Sequence, residues 1–136
     1  MEKLSSVLLV DDDSTNNFLN QLLIESLGVA DRLLVAESGE AALDLIANSA
    51  GPDEPALILL DVSMPGMNGI QFLEAYQRLP RARHSATIVV MLTTTMDARD
   101  LSRLEELRIA GLVSKPLTKE KMEHLLQLHF PRSAPR

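Results

Sequence analysis

The feature that most constrains the fold of this chain is an apolar run that ends in a carboxylate and a turn. Residues 57–60 are Leu-Ile-Leu-Leu, and Asp61 follows them directly. An unbroken apolar run of this length is typical of a strand covered on both faces, as in parallel sheets. Pro65 and Gly66 then break the chain, so the sequence predicts that Asp61 stands at the carboxyl end of a buried strand. In open parallel sheets, ligands bind at that edge.

Short apolar runs and helical patterns alternate along the rest of the chain. Strands are predicted at residues 7–10, 33–36, 57–60, 87–92 and 110–114. Helices are predicted to follow them, with caps at Ser14, Ser38, Asn68, Asp97 and Thr118. The alternation predicts an α/β fold, a flavodoxin-like (βα)5 doubly wound parallel sheet with strand order 2-1-3-4-5.

The length of 136 residues suits a single domain. We expect this domain to span residues 1–130 and residues 131–136 to form a disordered tail. In the first helix, the apolar positions that keep the helical spacing are Phe18, Leu19, Leu22, Leu23, Ile24 and Leu27. The second half of the chain is expected to close the sheet with two further strands and their helices.

The predicted strand order gathers chemically active side chains at one edge of the sheet. Strands one and three are neighbours in that order, so the acidic residues 11–13 are expected beside Asp61. Strands four and five end at Thr93 and Lys115, which are expected at the same edge. Crowded carboxylates repel one another unless they share a cation. Oxygen ligands without histidine or thiol favour a hard ion, and Mg²⁺ is the usual ion where phosphate is handled.

The predicted cluster has the parts of a phosphoryl-transfer site. An aspartate can act as the nucleophile, while the other groups position it and neutralise charge. Lys115 supplies a point charge, and the Thr93 hydroxyl can donate to an incoming oxygen. The three histidines, His84, His124 and His129, lack the spacing of metal ligands and are expected at the surface.

Composition excludes several other classes of protein. Thirteen basic and 19 acidic residues give a net charge of −6, which repels phosphate backbones, so we expect no nucleic-acid partner. The chain has no cysteine, which excludes thiolate metal sites and cysteine nucleophiles. Neither a signal peptide nor a membrane-spanning run is present in the sequence, so we expect a cytoplasmic protein without membrane association.

Four motifs, in this order, resemble those of the response-regulator receiver domains of two-component signalling. They are Val10-Asp11-Asp12, the segment from Asp61 to Gly69, Leu92-Thr93, and Lys115-Pro116-Leu117. The resemblance extends from about residue 7 to residue 128, which is nearly the whole chain. It implies that a sensor histidine kinase or a histidine phosphotransfer protein phosphorylates Asp61.

The resemblance also implies roles for the groups around Asp61. Asp12 would bind Mg²⁺ directly, and Asp11 would bind it directly or through a water molecule. The Asp61 carboxylate and the backbone carbonyl of Ser63 would be the remaining protein ligands. Thr93 would move toward the phosphoryl group, and Lys115 would form an ion pair with it. The Lys115–Pro116 bond is cis in that family, and such a bond is accessible before proline.

Two positions depart from the usual receiver pattern. Thr94 follows the expected switch threonine where receivers often have alanine, and its branched side chain narrows access to the site. Leu112 lies three residues before Lys115, where many receivers have an aromatic residue that rotates on activation. Leu112 is interpreted either as strand packing or as an exposed anchor for a partner.

The resemblance implies a signalling domain and not an enzyme acting on a separate substrate. Its chemistry would be limited to self-catalysed phosphoryl transfer and autodephosphorylation. Because no effector domain follows residue 128, the output is expected to be the binding of a downstream protein. We expect a monomer or a weak dimer.

Two other functions compete with this interpretation. Residues 11–15 fit the D-x-D-x-T motif of haloacid-dehalogenase-type phosphatases, in which Asp11 would be the nucleophile. Against this, no second acidic pair follows Lys115, and the chain has no room for a substrate cap. The third hypothesis is a degenerate receiver that acts as a scaffold without being phosphorylated.

Overall fold

Five strands alternate with five helices in the computed structural model, which describes residues 3–48, 54–79, 86–92 and 97–131. The strands are β1 (Leu4–Val10), β2 (Ala30–Ala36), β3 (Leu57–Asp61), β4 (Thr87–Leu92) and β5 (Gly111–Ser114). The helices are α1 (Ser14–Leu27), α2 (Gly39–Ala47), α3 (Gly69–Tyr76), α4 (Ala98–Glu106) and α5 (Lys119–His129). The strands pair in parallel in the order β2-β1-β3-β4-β5, which confirms the predicted fold class.

Several predictions fall outside the residues that the structure describes. They concern Thr93, Thr94, His84 and residues 132–136 of the predicted tail. The proposed domain limits therefore stay predictions. None of the helices in the described ranges is long and apolar enough to cross a membrane.

Strand β3 lies at the centre of the sheet and is buried along its whole length. Ile58 and Leu60 pack on the side covered by α2, α3 and α4. Leu57 and Leu59 pack on the side covered by α1 and α5. The apolar run that leads to Asp61 therefore forms part of both cores. Burying each of these side chains contributes about 1.5–3 kcal/mol to folding.

The strand register brings two acidic strand ends together. Val10, the last residue of β1, is paired with Leu60, so Asp11 follows β1 at the level where Asp61 ends β3. Asp61 is in turn paired with Met91 of β4. The predicted proximity of Asp11 to Asp61 therefore follows from the parallel pairing of β1 with β3.

The beginning of α1 differs from the prediction. Asp13, not Ser14, is the N-cap, and its carboxylate accepts hydrogen bonds from the backbone N–H groups of Thr15 and Asn16. A carboxylate satisfies these free N–H groups and also interacts favourably with the helix dipole. The Asp13 carboxylate therefore caps α1 and, unlike those of Asp11 and Asp12, does not lie in a cluster with Asp61.

The apolar residues of α1 do not all face the core. Phe18, Leu19 and Leu22 are 59%, 56% and 48% exposed. The buried residues of this helix are instead Asn17, Asn20 and Ile24. Helical spacing therefore identified the helix correctly but did not identify its buried face, and α1 carries an exposed apolar surface formed by Phe18, Leu19 and Leu22.

The turn after β3 is packed too closely to accept a side chain at Gly69. A Cβ atom there would lie 2.8 Å from the Val62 Cα and 3.1 Å from the Asp61 carbonyl oxygen. The Gly69 N–H also donates to the Val62 carbonyl oxygen at 2.9 Å. Asn68 and Gln71 then begin α3 with reciprocal capping hydrogen bonds. These contacts fix the backbone that follows Asp61.

Candidate functional site

Three carboxylates converge at the carboxyl edge of the sheet. Asp11, Asp12 and Asp61 each offer an oxygen within 4.8 Å of the others. Asp11 and Asp61 are only 0% and 2% exposed, whereas Asp12 is exposed. The structure therefore brings together the three acids that the sequence predicted as metal ligands, with Asp12 on the solvent side.

Lys115 lies between the two buried carboxylates. Its Nζ atom is 2.8 Å from Asp11 Oδ2 and 3.5 Å from Asp61 Oδ2, and its side chain is 16% exposed. The Lys115 N–H donates to the Leu92 carbonyl oxygen at 3.0 Å, which ties this residue to the end of β4. The Lys115–Pro116 bond is cis. One ammonium group thus contacts two of the three carboxylates, and the cluster retains negative charge for a cation.

Asp11 is held by groups of its own segment, of α1 and of β2. Its Oδ1 atom accepts a hydrogen bond from the Asp13 N–H at 2.9 Å, and its backbone carbonyl accepts one from Asn17 Nδ2 at 2.8 Å. The Asp11 N–H donates to the Ala36 carbonyl oxygen at 3.1 Å. Sequence reasoning did not identify Asn17 as part of the site. The available signal was an amide side chain in the first turns of a helix that begins beside an acidic strand end.

The other predicted residues are described to different extents. The Ser63 N–H donates to Asp61 Oδ1 at 3.2 Å, while metal binding by its carbonyl stays a prediction. Thr93 falls outside the described residues, and only Leu92 before it is seen at the end of β4. Leu112 of β5 is 45% exposed, which agrees with a surface position and not with strand packing.

Burial raises the pKa of Asp61 above its ordinary value of 3.8, and the neighbouring Asp11 carboxylate raises it further. The Lys115 ammonium and the Ser63 N–H lower the pKa of Asp61, but they do not cancel the rise. Keeping Asp61 ionised in the folded protein therefore costs free energy. A divalent cation among these oxygens would reduce that cost.

Asp61→Asn is expected to stabilise the protein at neutral pH in metal-free buffer. Because the folded-state pKa of Asp61 is raised, the stability from this group is present below the unfolded value of 3.8 and is lost as pH rises through the raised pKa. Asparagine has nearly the same shape and does not titrate, and Lys115 keeps its contact with Asp11. We expect a gain of about 1 kcal/mol at pH 7, or roughly 3–5 °C in melting temperature.

Thermal unfolding with a chelator, followed from pH 7 to below the ordinary pKa of the carboxyl group, measures this effect. The gain should shrink as pH falls, because wild-type Asp61 then becomes neutral as well. Asp13→Asn is the matched control, since asparagine also caps helices. A gain that is constant with pH, or that is shared by Asp13→Asn, would contradict the electrostatic explanation.

The side chains of the cluster fit Mg²⁺. The cluster supplies oxygen donors from three carboxylates, and among the described residues it includes no histidine. Hard divalent cations of this kind prefer such donors, and Mg²⁺ keeps several waters beside one or two carboxylates. The partial exposure of the cluster through Asp12 leaves room for those waters.

Comparison with known proteins shows which family the chain resembles. The family model described as the response regulator receiver domain matches residues 7–127. The chain is 30% identical over 125 residues to the "Probable chemotaxis protein CheY" of Rhizobium etli, and the match covers 91% of each chain. The crystal structure of a two-component response regulator from Cytophaga hutchinsonii has a TM-score of 0.78 and 28% identity, covering 96% of this chain and 99% of that one.

Some relatives are much longer proteins. The chain is 33% identical over 122 residues to the sensor histidine kinase GacS of Pseudomonas protegens, and the match covers 88% of this chain but 12% of GacS. The same type of domain thus occurs as most of a small protein and as a minor part of a large one.

Proposed function

Because the chain belongs to the response regulator receiver domain family, we propose that Asp61 accepts a phosphoryl group from a histidine kinase or a histidine phosphotransfer protein. The observation that carries this proposal is the position of Asp61, buried at the end of β3 with two acids and a lysine around it. The CheY-like relatives support the same class of function. Self-catalysed phosphoryl transfer and a cytoplasmic location belong to the proposal as well.

The proposed reaction uses the Asp61 carboxylate as the nucleophile. One carboxylate oxygen attacks the phosphorus atom of a phosphohistidine, the P–N bond breaks, and the imidazole leaves with the electron pair. The Ser63 N–H orients Asp61 through Oδ1, and Lys115 offsets charge near Oδ2. Asp12, Asp61, Asp11 and the Ser63 carbonyl would hold Mg²⁺, which supplies charge neutralisation for the phosphoryl oxygens.

Contacts at the cluster argue against Asp11 as the nucleophile of a phosphatase. Both Asp11 oxygens accept short hydrogen bonds, from the Asp13 N–H at 2.9 Å and from Lys115 Nζ at 2.8 Å. The corresponding distances at Asp61 are longer, 3.2 Å to the Ser63 N–H and 3.5 Å to Lys115 Nζ. A less engaged carboxylate is easier to redirect toward phosphorus, so Asp61 is the better nucleophile.

Incubation with acetyl phosphate and Mg²⁺ tests the proposal without a partner protein. We expect covalent incorporation of phosphate that hydroxylamine releases, because hydroxylamine cleaves acyl phosphates. A chelator should prevent the labelling. A label that resists hydroxylamine, or no label at all, would contradict phosphorylation of an aspartate and would favour the scaffold hypothesis.

The exposed apolar surface of α1 supports a docking role for this helix in phosphoryl transfer. It is formed by Phe18, Leu19 and Leu22, and α1 begins directly after the acidic residues that follow β1. Exposed apolar patches beside a polar site are typical of protein-binding surfaces. We propose that the phosphodonor protein contacts α1 while its phosphohistidine reaches Asp61.

Phe18→Asp is expected to slow phosphorylation by a protein donor while leaving labelling by acetyl phosphate unchanged. The expected loss is about tenfold or more, because a charge replaces an apolar contact at the centre of a docking surface. The measurement compares both donors, using the kinase that labels the wild type fastest. Leu45→Asp on α2, at the opposite face of the sheet, is the control. Equal losses with both donors would contradict a docking role.

The output is proposed to be the binding of a downstream protein near β5 and α5. Leu112 and Leu128 are exposed on these two elements, around a groove of about 510 Å³. Leu112 would then contact the partner as a surface anchor. The oligomeric state, expected to be a monomer or a weak dimer, stays a prediction from the sequence.

A further inference from the structure

The ammonium group of Lys121 holds the chain on both sides of Lys115. Its Nζ atom lies 2.8 Å from the Ser114 carbonyl oxygen, 3.1 Å from Ser114 Oγ and 3.0 Å from the Pro116 carbonyl oxygen. An ammonium group has three N–H donors, and these three acceptors use all of them. Lys121 therefore bridges the residue before Lys115 and the residue after it.

The position of Lys121 in the helix does not account for these contacts. Lys121 lies in the first turn of α5, and its N–H donates to Oγ1 of the N-cap Thr118 at 3.2 Å. A cation at a helix N-terminus is opposed by the helix dipole, at a cost of about 0.3–1 kcal/mol. Two carbonyl oxygens and a hydroxyl oxygen offset that cost here. The contacts point to a role in the segment between β5 and α5 and not in the helix.

The same segment is also held by β4 and by the acidic cluster. The Lys115 N–H donates to the Leu92 carbonyl oxygen, and Lys115 Nζ contacts Asp11 and Asp61. Lys121 contacts the two residues that flank Lys115 and is partly exposed. The backbone of Lys115 is thus held between β4 and the Lys121 ammonium.

We propose that Lys121 is a positioning residue for phosphoryl transfer, which fixes the backbone that carries Lys115 without contacting the reacting atoms. This inference rests on the proposed function of Asp61 and Lys115. We call the three hydrogen bonds of the Lys121 ammonium group the clamp. Losing the clamp would let the Lys115 side chain shift relative to Asp61. Shifts of about 1 Å in such sites reduce rates by up to about a hundredfold.

Lys121→Met tests the inference, because methionine keeps an unbranched stem and removes the donors. We expect labelling by acetyl phosphate to slow by about tenfold. Mg²⁺ affinity, measured by calorimetry, should change by less than about twofold, because Lys121 does not contact Asp11, Asp12 or Asp61 among the contacts described. Lys119→Met is the matched control, since it makes the same charge change in the same turn at an exposed position.

The absence of cysteine from the chain allows a rescue experiment at this one position. Lys121→Cys, alkylated with bromoethylamine, carries a lysine-like side chain with a terminal ammonium. Alkylation should restore the labelling rate to within about twofold of the wild type, whereas the unmodified variant should resemble Lys121→Met. A labelling rate that Lys121→Met leaves unchanged, or that alkylation fails to restore, would overturn the proposal.

Hydrogen exchange separates this proposal from the proposed function. The Lys115 N–H is bonded to Leu92, and Lys121→Met should speed its exchange more than Lys119→Met does. If the wild type takes up no phosphate, the proposed function fails and the transfer role of Lys121 fails with it, although faster exchange would still show the clamp. If the wild type is labelled and Lys121→Met is labelled equally fast, only the Lys121 proposal fails.

Discussion

Asp61→Asn is expected to abolish covalent phosphate uptake, from acetyl phosphate and from a protein donor alike. The amide oxygen of asparagine is a poor nucleophile, so the loss should reach about a thousandfold or more. The substitution keeps the shape of the residue, and Lys115 keeps its contact with Asp11 at 2.8 Å. The measurement is incorporation of labelled phosphate in the presence of Mg²⁺, with folding checked by circular dichroism.

Two further variants show which carboxylate reacts. Asp13 lies in the same acidic run but caps α1, so the Asp13→Asn variant should be labelled as fast as the wild type. Asp11→Asn should weaken labelling without removing the acceptor. Phosphomonoester turnover that is lost in Asp11→Asn and retained in Asp61→Asn would instead establish the phosphatase hypothesis and reject the receiver mechanism.

Lys115→Met is expected to have the largest effect on stability among single substitutions in the site. It would leave the two buried carboxylates, Asp11 and Asp61, facing each other without the cation between them. Removing one partner of a buried ion pair costs about 3–5 kcal/mol, and the partial exposure of Lys115 places the expected loss near 2–3 kcal/mol. Urea unfolding at pH 7 with a chelator measures this loss, and Mg²⁺ should reduce it.

A double-mutant cycle tests the electrostatic origin of that loss. Lys115→Met should cost less in an Asp61→Asn background, because only one buried carboxylate then remains. The coupling should be larger with Asp11→Asn, since Lys115 lies closer to Asp11 than to Asp61. Equal costs in all three backgrounds would mean that Lys115 acts through packing and not through its charge.

The fold and the acidic cluster could be predicted because they follow from the order of the strands. The run before Asp61 is buried on both faces, and parallel pairing of β1 with β3 brings Asp11 to the same edge. Neither conclusion depends on how any side chain is oriented. Strand β1 begins earlier than predicted, at Leu4, because Ser6 is buried and donates to the Glu54 carbonyl oxygen, which polarity alone did not indicate.

The features that the sequence did not predict depend on side-chain direction. In α1, apolar residues lie on more than one side of the helix, so spacing could not distinguish the exposed Phe18 from the buried Ile24. Asn17 occupies the inner side because its amide group reaches the Asp11 carbonyl. Lys121 folds back onto the preceding segment, and a long flexible side chain has no sequence signal for such a conformation.

The close packing at Gly69 restricts how the protein can respond to phosphorylation. With the Val62 Cα only 2.8 Å from where a Cβ atom of residue 69 would lie, the backbone after Asp61 has no room to move closer to Gly69. If Asp61 is phosphorylated as proposed, we expect the protein to adjust where Lys115 and the end of β4 meet Asp61. In that case the turn after Asp61 stays in place, and the structural change is expected in the strands beside it.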